Sequence, residues 1–147
     1  MRYRKSQHAV YHTEYHIVWI PRYRRKLLGG GVKVYLENML RHLEGLEDDI
    51  EVITVNVRVD HVHLVIMIPP RFSVAQVVKY IKSMTGRRLK ENFEHMQKAI
   101  WGRGGIWSTG YCVSSVGMTE STILEYVDHQ EKEDKGQLKI EFGRNGS

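Results

Sequence analysis

Residues 55–68, which decide the fold, read Val-Asn-Val-Arg-Val-Asp-His-Val-His-Leu-Val-Ile-Met-Ile and are followed by Pro69 and Pro70. The many β-branched residues and the terminating prolines predict strands. Because successive side chains of a strand point to opposite faces, His61 and His63 share one face. The alternate residues share the other face and are expected in a core: Val62, Leu64, Ile66 and Ile68. Two imidazoles side by side on a strand make half of a metal site.

A third ligand and the group that does the chemistry are expected near the C-terminus. Residues 119–132 read Thr-Glu-Ser-Thr-Ile-Leu-Glu-Tyr-Val-Asp-His-Gln-Glu-Lys, and Thr119 suits the N-cap of a helix. Tyr126 and Gln130 are four residues apart, so a helix places them on the same face. A phenol and an amide oxygen presented together suggest a nucleophile and a metal ligand. His129 competes with Gln130 for the ligand role, and Tyr126 alone would suit an aromatic packed against a sheet.

The histidine pair has simpler interpretations that the sequence leaves open. Two histidines on a strand can be held by hydrogen bonds near a sheet edge and bind nothing. Asp60 would orient His61 or approach a metal, or it would simply suit a turn. Histidine-triad nucleotide hydrolases need a further alternate histidine, but position 65 is Val65. Zinc fingers need cysteine pairs, and Cys112 is the only cysteine.

The order of the predicted elements indicates an α+β fold of ferredoxin-like type. A strand over residues 12–20 is followed by a helix that opens at Gly29-Gly30-Gly31, with its apolar face formed by Val32, Tyr35, Leu36, Met39, Leu43 and Leu46. Strands over residues 50–59 and 62–68 come next, and Ser73-Val74-Ala75-Gln76 is the capping-box signature of a second helix. A strand over residues 107–116 precedes the tyrosine helix. The order β-α-β-β-α-β predicts an antiparallel sheet with helices on one face, which leaves the other face for ligands or a partner subunit.

Composition bounds the class of protein. A chain of 147 residues with 41% hydrophobic and 27% charged residues fits one globular domain over residues 1–147, of which residues 134–147 form a polar tail. The longest apolar run is much too short to cross a bilayer, and we expect no leader at the N-terminus. A lone cysteine excludes a disulfide framework, so the expected location is the cytoplasm.

The basic residues indicate an anionic partner. The net charge is +5 and the pI is about 9.3. One basic group follows the first strand and another lies in or beyond the second helix, and the candidates for DNA contact are Arg22, Arg24, Arg25, Lys82, Arg87 and Arg88. Basic residues with an interleaved tyrosine suit phosphate contacts and base stacking on single strands. A solvated cationic surface is the alternative, but clustering beside a candidate metal site favours nucleic acid.

Four segments together resemble the single-tyrosine HUH transposases. Residues 15–24, Tyr-His-Ile-Val-Trp-Ile-Pro-Arg-Tyr-Arg, are similar to the opening strand and basic turn of that family. Asp60-His61-Val62-His63 resembles its histidine motif, and residues 107–111 with Val116-Gly117 resemble the segment before its last helix. Residues 126–130, Tyr-Val-Asp-His-Gln, resemble its nucleophile helix. The resemblance covers most of the chain, and the compact length fits the small insertion-sequence enzymes better than their REP-associated relatives.

The resemblance implies a reaction, a cofactor and partners. His61, His63 and Gln130 would bind a divalent metal, Mg²⁺ or Mn²⁺, and Tyr126 would attack DNA. The product would be a 5′-phosphotyrosine and a free 3′-OH, and a second 3′-OH could then rejoin the strand. The family also implies recognition of hairpins in single-stranded transposon ends. It further implies a homodimer in which the tyrosine helix of each subunit completes the histidine pair of the other.

Two other functions are compatible with the same residues. One is a non-catalytic module that binds nucleic-acid hairpins and has kept the fold. The other is a metal-dependent nuclease that uses water, with Tyr126 in a structural role. The presence of His61, His63, Tyr126 and Gln130 together favours the transposase, because a binding module has no use for all four.

Overall fold

The computed structural model describes residues 4–5, 10–43, 45–99, 105–115 and 125. Its strands are β1 (Arg4–Lys5), β2 (Val10–Tyr11), β3 (Glu14–Trp19), β4 (Glu51–Arg58), β5 (His61–Met67) and β6 (Cys112–Ser114). Its helices are α1 (Gly30–Arg41), α2 (Val74–Asn92) and α3 (Glu94–Ala99), and a short turn of 3-10 type covers Arg22–Arg24. In the described part of the chain, no helix is both long and apolar enough to span a membrane.

The central sheet has four strands in the order β4-β5-β3-β6, and every neighbouring pair is antiparallel. Strands β3 and β4 are joined through α1 but are separated in the sheet by β5, which is the split β-α-β arrangement of ferredoxin-like folds. The predicted fold class is therefore confirmed. Strands β1 and β2, which the sequence did not predict, form a separate antiparallel pair.

One face of the sheet packs against α1 and α2. The alternate residues of β5 that were expected in the core are buried there: Val62, Leu64 and Ile66 are fully buried, as is Ile68 just after the strand. They belong to the same apolar cluster as Leu36 of α1 and Ile81 of α2. Burying each such side chain stabilises a fold by about 1.5–3 kcal/mol before entropy is subtracted, so this cluster fixes the register of β5.

Two predicted elements have different bounds. Helix α1 ends at Arg41, so Leu43 and Leu46 do not lie on it, although both pack against the core from the following loop. The helix cannot continue because His42 has φ −125° and ψ 53°, and Gly45 has a φ of +82°.

Strand β6 covers only Cys112–Ser114 rather than residues 107–116. Trp107 makes an isolated bridge to Pro21, and the carbonyls of Ser108, Thr109 and Gly110 accept hydrogen bonds from Lys82. A side chain of α2 therefore holds this segment, which lies outside β6. Helix α3 was not predicted at all.

The start of α2 is as predicted. The Ser73 hydroxyl accepts a hydrogen bond from the backbone N–H of Gln76 at 3.3 Å, which caps the first turn. All the basic residues of the second group lie within this helix: Lys79, Lys82, Arg87, Arg88 and Lys90. The predicted tyrosine helix and the polar tail lie outside the described residues, apart from Glu125.

Candidate active site

The histidine pair lies on the sheet face opposite the helices. His61 is paired with Arg58, and His63 is paired with Asn56 on one side and Val18 on the other. The face is not open along its whole length, because Val18 of the neighbouring strand β3 and Ile20 just after it are fully buried. His61 is itself 6% exposed, whereas His63 is partly exposed. The pair is thus held at the border between buried and accessible surface.

Asp60 orients His61. It lies in the turn between β4 and β5, and its Oδ1 is 2.8 Å from Nδ1 of His61. The ring nitrogen facing a carboxylate carries the proton, which leaves Nε2 as the nitrogen that can bind a metal. A carboxylate behind a histidine is the usual support of a metal-binding imidazole. Of the alternatives for Asp60, orientation of His61 is the one that the geometry favours.

Arg24 completes this arrangement from the first basic group. Its Nε donates a hydrogen bond of 2.9 Å to Oδ2 of Asp60, so the two carboxylate oxygens are divided between the guanidinium and the imidazole. Partial burial on its own raises the pKa of Asp60. The hydrogen bond from His61 and the charge of Arg24 outweigh it and hold the pKa of that carboxyl below its ordinary value of 3.8. Asp60 is therefore an anion at neutral pH.

His16 is a neighbour of the site that the sequence did not single out. Its Nδ1 lies 3.3 Å from Nε2 of His63, and the two rings are 5.5 Å apart with 37° between their planes. His16 stands opposite Val65 in the β3–β5 ladder, so it lies on the same face as His63, diagonally across. Alternation along residues 14–19 was the signal that could have identified it.

The donor set suits a divalent metal but is incomplete in the described part of the chain. Two nitrogens that bind one ion at ~2.1 Å are roughly 3.0–3.4 Å apart, which is compatible with the contact between His16 and His63. Among the described residues no three His, Cys, Asp or Glu side chains form a group that could hold a metal ion. The other predicted ligand, Gln130, its competitor His129 and the predicted nucleophile Tyr126 lie outside the described residues.

The turn after β3 carries unusual backbone geometry. Tyr23 has φ 61° and ψ 18°, and Arg24 has φ 51°. Two successive left-handed residues match a type I′ turn, which normally contains glycine or asparagine. For other residues this conformation costs roughly 1–2 kcal/mol each. The backbone N–H of Arg25 donates to the carbonyl of Arg22 at 3.4 Å across the turn, and the side chain of Arg24 reaches Asp60.

A basic cleft of about 690 Å³ lies between α2 and the loop before β6. It is lined by cationic residues from both predicted groups, together with one glutamate, and includes Arg22, Lys82, Arg87, Lys90 and Glu91. Of the six candidates for DNA contact, three line it: Arg22, Lys82 and Arg87. Arg24 is bound to Asp60 instead, and the guanidinium of Arg25 lies 5.7 Å from the centre of the Tyr23 ring.

Lys82 has a structural task in the cleft. Its ammonium donates to the carbonyls of Ser108, Thr109 and Gly110 at 2.7, 3.1 and 3.1 Å. It therefore fastens the loop before β6 to helix α2. A role of Lys82 in DNA contact stays a prediction.

Comparisons with known proteins agree on one family. Residues 9–130 match the family model described as "Transposase IS200 like". The chain is 33% identical to the ISDra2 transposase TnpA of Deinococcus radiodurans over 128 residues, which is 86% of this chain and 90% of that protein. It is 31% identical to the transposase for insertion sequence element IS200 of Salmonella typhimurium over 137 residues, 92% of this chain and 89% of that protein.

Two solved structures are similar as well. A crystal structure from Deinococcus radiodurans R1, of a protein described as a transposase, superposes with a TM-score of 0.70 at 28% identity, over 93% of this chain and 99% of that one. A REP-associated tyrosine transposase bound to a REP hairpin superposes with a TM-score of 0.50 over 91% of this chain and 76% of that one. The second pair is only 13% identical, so it supports the fold alone.

Proposed function

Because the chain belongs to the IS200-like transposase family, we propose that it nicks and rejoins single-stranded DNA at transposon ends. The observation that carries this proposal is the pairing of Asp60 with His61 at 2.8 Å on the strand that also bears His63. A buried imidazole held by a carboxylate is what a metal-assisted phosphoryl transfer needs. A protein that only bound DNA would have no use for it.

The metal would be held by two side chains of β5 and by one from the C-terminal part of the chain. His61 and His63 supply imidazole nitrogens, and Gln130 supplies an amide oxygen. This mixed set suits Mn²⁺ and accepts Mg²⁺ with water in the remaining positions. When bound, the ion would polarise the scissile phosphate and stabilise negative charge on its oxygens. Asp60 and Arg24 keep the imidazole of His61 in the tautomer that such a site requires.

Tyr126 is the proposed nucleophile. Its phenol oxygen attacks phosphorus and gives up its proton to solvent, the bond from phosphorus to the 3′-oxygen breaks, and that oxygen takes a proton from solvent to become the 3′-OH. The phosphodiester is conserved as a 5′-phosphotyrosine, so a different 3′-OH can reverse the step and join two strands without an energy source. The sequence accordingly contains no nucleotide-binding P-loop.

The proposed substrate is a single strand whose ends form hairpins. The basic cleft with Arg22 and Arg87 offers cations to a phosphate backbone, and the resemblance of the sequence to the single-tyrosine transposases implies hairpin ends. We further propose a homodimer in which the Tyr126 helix of each subunit serves the histidine pair of the other.

Incubation with an end-labelled single strand tests the chemistry. The wild type should form a covalent protein–DNA adduct that survives denaturing electrophoresis, and Tyr126→Phe should abolish it while DNA binding is retained. Tyr111→Phe is the matched control and should form the adduct normally. A Tyr126→Phe variant that still formed the adduct would refute the proposal that Tyr126 is the nucleophile. Free fragments without adduct would indicate a nuclease that uses water, and binding with neither product would indicate the non-catalytic hairpin module.

The metal and the shared site have separate tests. Cleavage should stop when a chelator is added and in the His61→Ala variant. Cleavage that persists in both cases would show that the reaction does not depend on a metal. Mixing inactive His61→Ala with inactive Tyr126→Phe should restore adduct formation, because a shared site pairs the intact histidines of one subunit with the intact tyrosine of the other. If each site were built within one subunit, the mixture would stay inactive.

A further inference from the structure

The turn after β3 places an aromatic ring where the backbone favours glycine. Tyr23 and the following Arg24 both have positive φ angles, of 61° and 51°. Strain that persists in a folded protein concentrates at functional sites, because the surrounding structure must hold it in place. The turn is held in that way: the N–H of Arg22 donates to the carbonyl of Ile106 at 2.8 Å, and Arg24 binds Asp60.

The Tyr23 ring is not used to build the core. The residue is 56% exposed, and it is absent from both apolar clusters of the described residues. One face of the ring is next to a cation, since the Arg25 guanidinium lies over the ring at 5.7 Å from its centre. An exposed ring beside a guanidinium has the chemistry of a surface that stacks on a nucleobase next to its phosphate.

The neighbours of Tyr23 in the turn belong to the two regions that the proposed function assigns to DNA. Arg22, on one side, lines the basic cleft. Arg24, on the other side, binds the carboxylate that orients His61. The turn therefore links the cleft to the carboxylate that supports His61, and an unpaired base that lay against it would meet the exposed ring.

We propose that Tyr23 is a base-stacking residue for the unpaired DNA that runs from the basic cleft to the His61 site. This inference rests on the proposed function, because it takes single-stranded DNA as the substrate. Stacking is tolerant of sequence, since every base has a π-face. Tyr23 would thus hold the strand in position near the histidine pair without specifying which bases are bound.

Two variants distinguish the contribution of the Tyr23 ring from that of the backbone conformation. Tyr23→Gly removes the ring and relieves the positive φ, so it should unfold at the same temperature as the wild type or a higher one. Tyr23→Phe keeps the ring and its face. Each protein is titrated, by fluorescence anisotropy, with a mixed-sequence single strand and with an abasic strand of the same length.

The wild type and Tyr23→Phe should bind the base-bearing strand more tightly than the abasic one. Tyr23→Gly should lose roughly tenfold in affinity for the base-bearing strand and bind the abasic strand as the wild type does. Equal affinity of Tyr23→Gly and wild type for the base-bearing strand would overturn the inference, as would a lower unfolding temperature of Tyr23→Gly. If the wild type bound neither strand, the proposed function itself would fail.

Discussion

At the scale of single residues, Asp60 connects the turn that contains Arg24 to the imidazole of His61. One carboxylate oxygen accepts from Arg24 and the other faces Nδ1 of His61. The imidazole is buried and cannot rotate without breaking a charge-assisted contact, and this fixes where its second nitrogen points. Removing the carboxylate should therefore weaken the binding of a metal by His61.

We expect Asp60→Asn to lower the affinity for Mn²⁺ by about 10- to 100-fold, since an amide does not orient His61 as strongly as a carboxylate does. Titration of the free Mn²⁺ signal by electron paramagnetic resonance measures this directly. Asp49→Asn is the matched control, because Asp49 also forms an ion pair with an arginine, Arg71, but on the exposed surface. Equal losses in the two variants would contradict a special role of Asp60.

The stability that Asp60 contributes should depend on pH in a defined direction. Its pKa in the fold is below the ordinary 3.8, so the folded state binds this proton less readily than the unfolded chain does. The contribution is therefore complete above that ordinary value and is lost as the pH falls through the lower value of the folded protein. Urea unfolding between about pH 6 and about pH 2.5 should show a free-energy difference between wild type and Asp60→Asn that shrinks on acidification. A difference that grew would have the wrong sign.

Local alternation was enough to place part of the site. It assigned His61 and His63 to one face of a strand and the core residues to the other, because a strand repeats every two residues whatever its partners are. It could not identify His16 or the contact of Arg24 with Asp60. Those depend on which strand lies beside β5 and on how the turn after β3 folds back, and both are tertiary facts.

At the scale of elements, Lys82 explains why the last strand is short. Its ammonium donates to three successive carbonyls of the loop at residues 108–110 and so fastens that loop to α2. The sequence predicted a longer strand over residues 107–116, because a local pattern carries no information about a cation 26–28 residues earlier in the chain. Helix α1 was predicted too long for a related reason: Leu43 and Leu46 pack on the core from a loop.

Lys82→Met should destabilise the fold by about 1–3 kcal/mol, because three carbonyls, two of them in partly buried hydrogen bonds, lose a charged donor while the apolar stem is kept. Urea denaturation of the two proteins measures the difference. Lys79→Met, on the exposed surface of the same helix, is the control and should stay within about 0.5 kcal/mol of the wild type. A Lys82→Met protein as stable as this control would show that the three contacts contribute nothing.

At the scale of the whole molecule, the sheet order brings distant segments to one region. Strand β3 lies beside β5, so the turn at residues 22–24 meets the turn that carries Asp60. The same turn meets the cleft formed with α2, which is more than fifty residues further along the chain. Composition predicted a basic protein but not this convergence, because net charge says nothing about where cations lie.

The cleft should determine how DNA binding responds to salt. Each cation that neutralises a phosphate of a single strand releases counterions, and the slope of log affinity against log salt changes by about 0.7 per contact. Arg87 lines the cleft and forms a long, exposed ion pair with Glu91, in which the nitrogen and oxygen are 3.9 Å apart. We therefore expect Arg87→Ala to weaken binding of a single strand and to flatten that slope by about 0.7. Arg41→Ala, on α1 and away from the cleft, has a comparable exposed pair with Glu37 and should leave the slope unchanged. Anisotropy titrations at several salt concentrations measure the slope for each variant. Equal slopes for the two variants would show that the DNA does not bind in the cleft.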